Sequence, residues 1–582
     1  MKILQWMKTN HIFWFLFLSI LFVVTRGLAL DRFVTTDETP WLMRGGNFYY
    51  ALGQREFSKT RQTPDPAVTT MIVNATAFLI DYPQYRGFGE GYFKEYINFD
   101  SFVQSKNINA HTILITAREL MLLEDLILFL LAFGIAIRLV NIIPAVAGFL
   151  LIALSPYHIA LTMVSHTDGQ LSCIMLVAVL SFLAYFLDKQ RMIYVIFSAI
   201  ATSLGCLTKL PAYVLFPFFG SIMIFAIVRN WRNGFFKNKD QAKIWWKRTL
   251  LHPVIWIGVF LTVYFLLWPA MWVDPIGTLI KQIRAPFMFV ESGNDSTVTA
   301  AISTASSSGI LSLFNTFQKD AVFYFHTYLW QTTPIELIGV AVALVLFFLK
   351  VTFFKSPINH RIAGAFFWFI FLYVFFISLS SKLQPRYIIP AFVFMDVIAA
   401  LGWLALIQLI LSIQFKGIKY ALFSLMMVGL FAIQIGGDVS VYPYFYSYYN
   451  PLMGGAKIAG ETKFVGSGEG LDQAGQYLSQ KPGAKDLTAM SWYGSGCFSY
   501  YFSGTTIVIP TGLKDNKYMA ENLAHSDYLV IYTNQWHRRI PASLFDILDH
   551  VVPEHTIWIN DIEYVRIYRV KDLPPEVLNP LL

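Results

Sequence analysis

Apolar stretches close to twenty residues long recur along the chain, each long enough to cross a hydrocarbon layer of about 30 Å as a helix. They lie near 12–30, 119–138, 140–157, 169–187, 192–209, 211–228, 252–269, 331–350, 362–380, 387–411 and 420–437, which predicts eleven membrane spans. The second and third belong to one tract, 119–157, broken only by Arg138 and by Pro144, a residue suited to a helix start or a kink. The first stretch has charged flanks, Lys2 and Lys8 before it and Arg26 and Asp31 at its far end, and no small-residue cleavage site. That favours an uncleaved span over a signal peptide.

Three polar pieces interrupt or follow this pattern: the loop 31–118, a region near 270–330, and the tail from about 438. The first is too long for a mere connector, and long ordered loops are usually functional. Within the second, the Ser/Thr/Gly-rich stretch 292–309 reads as slack chain or a lid. The tail changes period. Strand-length runs at Thr505–Ile509 and Tyr528–Tyr532 alternate with helical pieces near 470–480 and 543–549. The expected organisation is a transmembrane domain over 1–437 and an extracytoplasmic α/β domain over 438–582.

Composition agrees with the spans. Of the 582 residues 56% are hydrophobic and only 14% charged, with a mean hydropathy of +0.52, whereas soluble chains carry about 25% charge. The net charge of +8 would suggest nucleic acid, but sidedness accounts for it. With the N-terminus in the cytoplasm, the inner loops hold the cluster 229–248 and further Lys and Arg, opposed only by Asp188 and Asp240. This is the positive-inside bias of a multi-pass plasma-membrane protein beside anionic lipid, with no nucleic-acid partner. Cys173, Cys206 and Cys497 are odd in number and far apart, so they read as packing residues.

In that topology four ionisable clusters fall on the outer face, where charge at a span is costly and marks candidate sites. Asp37 and Glu38 follow the first span; His166 and Asp168 lie before the fourth; Lys209 follows the fifth; Lys382, Arg386 and Tyr387 precede the tenth. Carboxylates and cations at one face suit transfer from a lipid-linked phosphate to a hydroxyl: cations hold phosphate oxygens and a carboxylate takes the hydroxyl proton. Plainer roles compete: Asp37–Glu38 or Asp168 as helix caps, His166 as an interfacial histidine, Lys209 and Arg386 snorkelling to head groups. His166 and Asp168 lack further ligands at readable spacing, so no metal site is assigned; no cofactor is assigned, and a divalent metal stays open.

The Asp37-Glu38 pair, the Pro64-Asp65-Pro66 loop, Ser155-Pro156, His166-Thr167-Asp168-Gly169, Leu207-Thr208-Lys209, Trp268-Pro269-Ala270-Met271-Trp272 and Gln384-Pro385-Arg386-Tyr387 occur in this order. Together they resemble the polyprenyl-phosphate-sugar glycosyltransferases of the GT-C fold, in particular glycosyltransferase family 39, the protein O-mannosyltransferase and aminoarabinose-transferase group. The resemblance covers about 30–400. It implies an inverting transfer of mannose or a similar sugar from a polyprenyl phosphate to a protein or glycan acceptor. Asp37 then resembles the family's base and Glu38 a neighbouring substrate-binding acid. Lys209, Arg386 and Lys382 fall to the phosphate, His166 and Asp168 to the sugar pocket, with Tyr387 beside them. The family often has a basic residue or histidine just before the loop prolines; here Gln62 and Thr63 precede Pro64, with Arg61 the nearest cation.

The tail segments Tyr446–Gly455 and Val465–Leu471 also resemble segments after the last span in bacterial members. Gly466, Gly468 and Gly470 lack the Gly-Lys-Ser/Thr ending of a phosphate loop. Two other classes stay open: a carrier or flippase for a lipid-linked glycan, for which the sequence offers no convincing internal repeat, and a non-catalytic glycolipid-binding subunit. The expectation is that Asp37, Lys209 and Arg386 share one extracytoplasmic cavity.

Overall fold

The structure, a computed structural model, describes residues 10–87, 91–187, 191–235, 239–291, 319–379, 382–510 and 516–578. The stretch 292–309, expected as slack or a lid, lies outside the described residues. Contacts divide the chain into two compact units: Met1–Leu28, Ala51–Val73 and Leu120–Gly436 form one, and Ala29–Tyr50, Asn74–Glu119 and Gly437–Leu582 the other. Two parts of the first loop thus belong to the same unit as the tail.

The first unit is helical. Helix is present in each of the eleven apolar stretches, and among the described residues six helices are long and apolar enough to cross a membrane: Ala110–Val140, Thr167–Leu187, Leu210–Arg232, Pro357–Ile377, Pro385–Leu411 and Gly417–Val441. His11–Gly27, Val68–Asp81, Met192–Thr208, Leu251–Leu267 and Pro334–Phe348 are apolar but shorter. At 1.5 Å per residue the 17 residues of His11–Gly27 rise about 25 Å. The third stretch is broken: Ile142–Ala153 and Pro156–Thr162 meet at 67°. Pro144 lies in the first turn of its helix, where a missing N–H is harmless, and the bend falls at Pro156 instead.

Buried polar caps hold these helices in place. Thr333 and Glu336 form a reciprocal capping box on Pro334–Phe348, and the Gln434 amide donates to the Leu154 carbonyl at 2.6 Å while accepting from the Thr333 hydroxyl at 2.9 Å. Arg26, fully buried, donates to Thr162 at 2.8 Å and to the Ala153 carbonyl at 3.1 Å, so the end of His11–Gly27 is tied to the broken span.

The second unit carries the sheet. Its strands are β1 (Thr488–Trp492), β2 (Thr505–Ile509), β3 (Tyr528–Tyr532), β4 (His555–Ile559) and β5 (Ile562–Arg569), in the order β2-β1-β3-β5-β4. The first three are parallel and β5 pairs antiparallel with both β3 and β4. β3 is buried along its whole length, as its unbroken apolar run requires. The β4–β5 connection is Asn560-Asp561, both at positive φ, the residue types that tolerate a tight hairpin turn. The helices Leu471–Ser479 and Ala542–Leu548 stand where the period had placed them. All three cysteines are buried and unpaired.

Candidate active site

In the second unit, Glu38 opens the helix Glu38–Gly53 and is fully buried. Its carboxylate meets Arg118 bidentately, at 2.7 and 2.6 Å, and accepts from the Thr35 N–H and hydroxyl at 2.9 and 3.0 Å. The remaining Arg118 donors go to the carbonyls of Leu30, Arg32 and Phe33. All five guanidinium N–H groups are therefore used, and both carboxylate oxygens are satisfied. This clamp fixes the turn that carries Asp37. Asp37 itself is half-buried, one residue before the helix.

The glycines after the last span hold the same turn from outside. The Thr36 N–H donates to the Ser467 carbonyl at 3.0 Å. Gly468 has φ +123, and a Cβ there would stand 2.2 Å from the Val34 carbonyl oxygen; one on Gly496 would stand 2.2 Å from Thr39 Cγ2. Only glycine permits both the left-handed backbone and the approach. Of the Gly-x-Gly-x-Gly glycines, Gly468 thus lies against the segment before Asp37, while Gly466 faces Tyr532 and Gly470 faces Ile557 and Tyr564 of the sheet. Cys497 lies within electrostatic reach of Glu38 and Asp37; burial first, and those carboxylates second, push its thiol well above the usual range.

In the first unit, Asp168 sits in the first turn of Thr167–Leu187, where a carboxylate suits the helix N-terminus. A Cβ at the next residue, Gly169, would stand 2.1 Å from the Leu161 carbonyl oxygen, so the turn needs glycine to lie this close to the broken span. Around the buried Asp168 carboxylate are Lys209 Nζ at 2.6 Å, Arg386 Nε at 3.2 Å and His166 Nδ1 at 3.3 Å. His166 Nδ1 also lies 3.2 Å from the Asp168 backbone N, so the ring is held against the start of this helix. Lys209 is the extended residue that ends Met192–Thr208; its ammonium lies 4.1 Å from the Tyr387 ring centroid. Tyr387 is held in turn by the Tyr373 hydroxyl, which donates to its carbonyl at 2.8 Å. Lys382 is exposed and Arg386 partly so.

Asp65 also belongs here, and the sequence reading passed over it. Burial raises its carboxyl above the usual range; Lys209 opposes this most, then the Leu210 N–H that it accepts, with Lys382 also in range. The loop is pinned by the Ala67 N–H to the Thr208 carbonyl at 3.1 Å and by Thr69 to Thr208 at 2.7 Å. Ala67 has φ 48, a strained value for a residue with a Cβ, of the kind that clusters at functional sites. The available signal was an acid held between two prolines. Arg118 was missed as well, and nothing local marks it: its partner is 80 residues away. Among the described residues no group of three or more His, Cys, Asp or Glu is arranged to hold a metal ion.

No protein-family profile matches the chain, and no curated protein matches it. Among solved structures, it is similar to ArnT from Cupriavidus metallidurans bound to undecaprenyl phosphate, at 12% identity over 97% of this chain and 99% of that one, with a TM-score of 0.46. It is also similar to the archaeal oligosaccharyltransferase AglB from Archaeoglobus fulgidus in complex with an inhibitory peptide and a dolichol-phosphate, at 13% identity over 93% of this chain and 71% of that one, with a TM-score of 0.46.

Proposed function

We propose that this chain is an integral-membrane glycosyltransferase that moves a sugar, mannose or similar, from a polyprenyl-phosphate donor to an acceptor hydroxyl at the outer membrane face, with inversion. The observation that carries the reading is the Asp168 cluster: three stretches far apart in sequence bring Asp168, Lys209 and Arg386 together at the end of a membrane span. Lys209 and Arg386 bring an ammonium and a guanidinium to one place, the donors that suit phosphate oxygens.

The step needs one base. The Asp37 carboxylate takes the proton of the acceptor hydroxyl as its oxygen attacks the anomeric carbon. The bond from that carbon to the phosphate oxygen breaks, and polyprenyl phosphate departs with its added charge among Lys209, Arg386 and Lys382. Asp168 orients Lys209 and Arg386, and with His166 lines the sugar pocket. Glu38, consumed by Arg118, is a positioning residue for Asp37.

The test is product analysis by mass spectrometry with purified protein, a panel of polyprenyl-phosphate sugars, and protein and glycan acceptors. Asp37→Asn should lower turnover by roughly 10²–10⁴-fold, the usual range for a general base, while leaving fold and donor binding intact. Near-normal turnover by that variant refutes the base assignment. Uptake of labelled glycan into proteoliposomes without transfer would instead identify a carrier.

A further inference from the structure

The second unit contains a cleft of about 450 Å³ that the transfer chemistry does not use. Its size lies in the range of about 300–1,000 Å³ typical of ligand sites. One wall is a single helix face: Gln473, Gln476, Tyr477 and Gln480 follow at spacings of three, four and seven along Leu471–Ser479 and its cap. An exposed helix face ordinarily carries Lys and Glu; this one presents amides and a ring. Tyr442 and Tyr444 also line the cleft, and His555 lies flat on Tyr477, centroids 4.2 Å apart and planes at 13°, with Lys481 Nζ 4.7 Å from the same Tyr477 ring.

The polar atoms are held ready. The Tyr444 hydroxyl donates to Asp472 at 2.7 Å and accepts from the Gln473 amide at 2.8 Å. Tyr477 donates to Glu554 at 2.9 Å, and Glu554 is paired with Lys481. The Gln476 and Gln480 amides are exposed. An amide both donates and accepts, which matches adjacent hydroxyl groups, and aromatic faces match the C–H face of a pyranose ring. Arg32 is the one cation among the lining residues, half exposed and 3.9 Å from Asp31, too little for a phosphorylated or sulfated ligand. Ile557 and Pro443 are the only aliphatic lining residues, too few for the side-chain pockets of a peptide.

We propose that this cleft binds a neutral oligosaccharide through the amide face of Leu471–Ser479 and the Tyr442, Tyr444 and Tyr477–His555 rings. That the oligosaccharide is the acceptor glycan rests on the transferase reading above; the binding does not.

The test is calorimetric titration of the purified full-length protein with maltotetraose, mannotetraose and chitotetraose, alongside a heparin tetrasaccharide and a Ser/Thr-rich hexapeptide. At least one neutral tetrasaccharide should bind saturably, and Gln476→Ala/Gln480→Ala should weaken it at least tenfold. Both positions are exposed and alanine favours helix, so the variant should fold; an unchanged melting temperature checks this. Binding of none of the neutral probes, capture of heparin or peptide alone, or equal binding by the variant each overturns the proposal. Repeating the titration with Asp37→Asn separates the two claims: glycan binding should persist there whether or not transfer depends on Asp37.

Discussion

Two buried carboxylates at helix starts, Glu38 and Asp168, are partnered in opposite ways. Glu38 has one cation, Arg118, in a closed bidentate pair with every donor and acceptor used. Asp168 has Lys209 and Arg386 around it, and Lys209 and Lys382 also act on the nearby Asp65 carboxyl, so several charges from separate stretches share one centre. A closed pair fixes geometry and has nothing left for a ligand. A centre where a guanidinium and an ammonium converge has the donor types that hold phosphate oxygens. Burial at a helix start therefore does not by itself make a charge a binding group; what matters is whether its valence is already filled.

The largest expected effect comes from opening the closed pair. Arg118→Gln leaves Glu38 buried without its counter-charge and should destabilise the protein by about 3–5 kcal/mol, read as a fall in thermal unfolding temperature. Replacing both partners by leucine should recover much of that loss. A change under about 1 kcal/mol for Arg118→Gln would mean that the pair is not a lock. Next, Arg386→Gln removes a charge-assisted contact of about 1.5–3 kcal/mol, so the donor KM or kcat/KM should worsen by roughly 10–100-fold. Arg386 is partly exposed, and the melting temperature should barely move.

Asp100, in the same unit as Glu38, sharpens the contrast because among the described residues its carboxylate meets only the Ser495 hydroxyl at 3.4 Å and the Gln104 amide at 3.3 Å. Burial pushes it up to about 6, offset in part by Ser495. Between the ordinary carboxylate value and 6 the folded state binds more protons than the unfolded one, so stability falls as pH rises through that window. The slope is at most about 1.4 kcal/mol per pH unit. Asp100→Asn should flatten it, as thermal melts from pH 4 to 7 would record; an unchanged slope assigns the dependence elsewhere. The smallest effect is at Asp65. Asp65→Asn takes a negative charge from beside Lys209 and Lys382 and should tighten polyprenyl-phosphate binding by about two- to fivefold, within the range of a partly screened charge. Weaker binding would make Asp65 a structural support of the loop instead.

Much of this architecture was readable from residue patterns. Blocks of apolar residues marked the spans because a lipid-facing helix tolerates no polar interruption, and the runs Thr505–Ile509 and Tyr528–Tyr532 are strands with those limits. Helix ends were less legible: the 67° break at Pro156 depends on how Pro156–Thr162 is held by Arg26, which no local pattern records. The same holds for the sites. Asp168, Lys209 and Arg386 stood out as costly charges. Arg118 and Asp65 did not, the first because its meaning comes from a carboxylate far away in sequence, the second because an acid between prolines also reads as an ordinary turn. Gly468 and Gly496 looked like loop glycines until the backbone of Val34 and the side chain of Thr39 filled the space where a Cβ would go.

The comparison is tested most directly by titrating polyprenyl phosphate into wild type, Arg386→Gln and Arg118→Lys at matched folded fractions. Arg386→Gln should weaken binding at least tenfold while Arg118→Lys leaves it within about twofold. Equal losses in both variants, or a loss confined to Arg118→Lys, would contradict the assignment of the Asp168 centre to the phosphate.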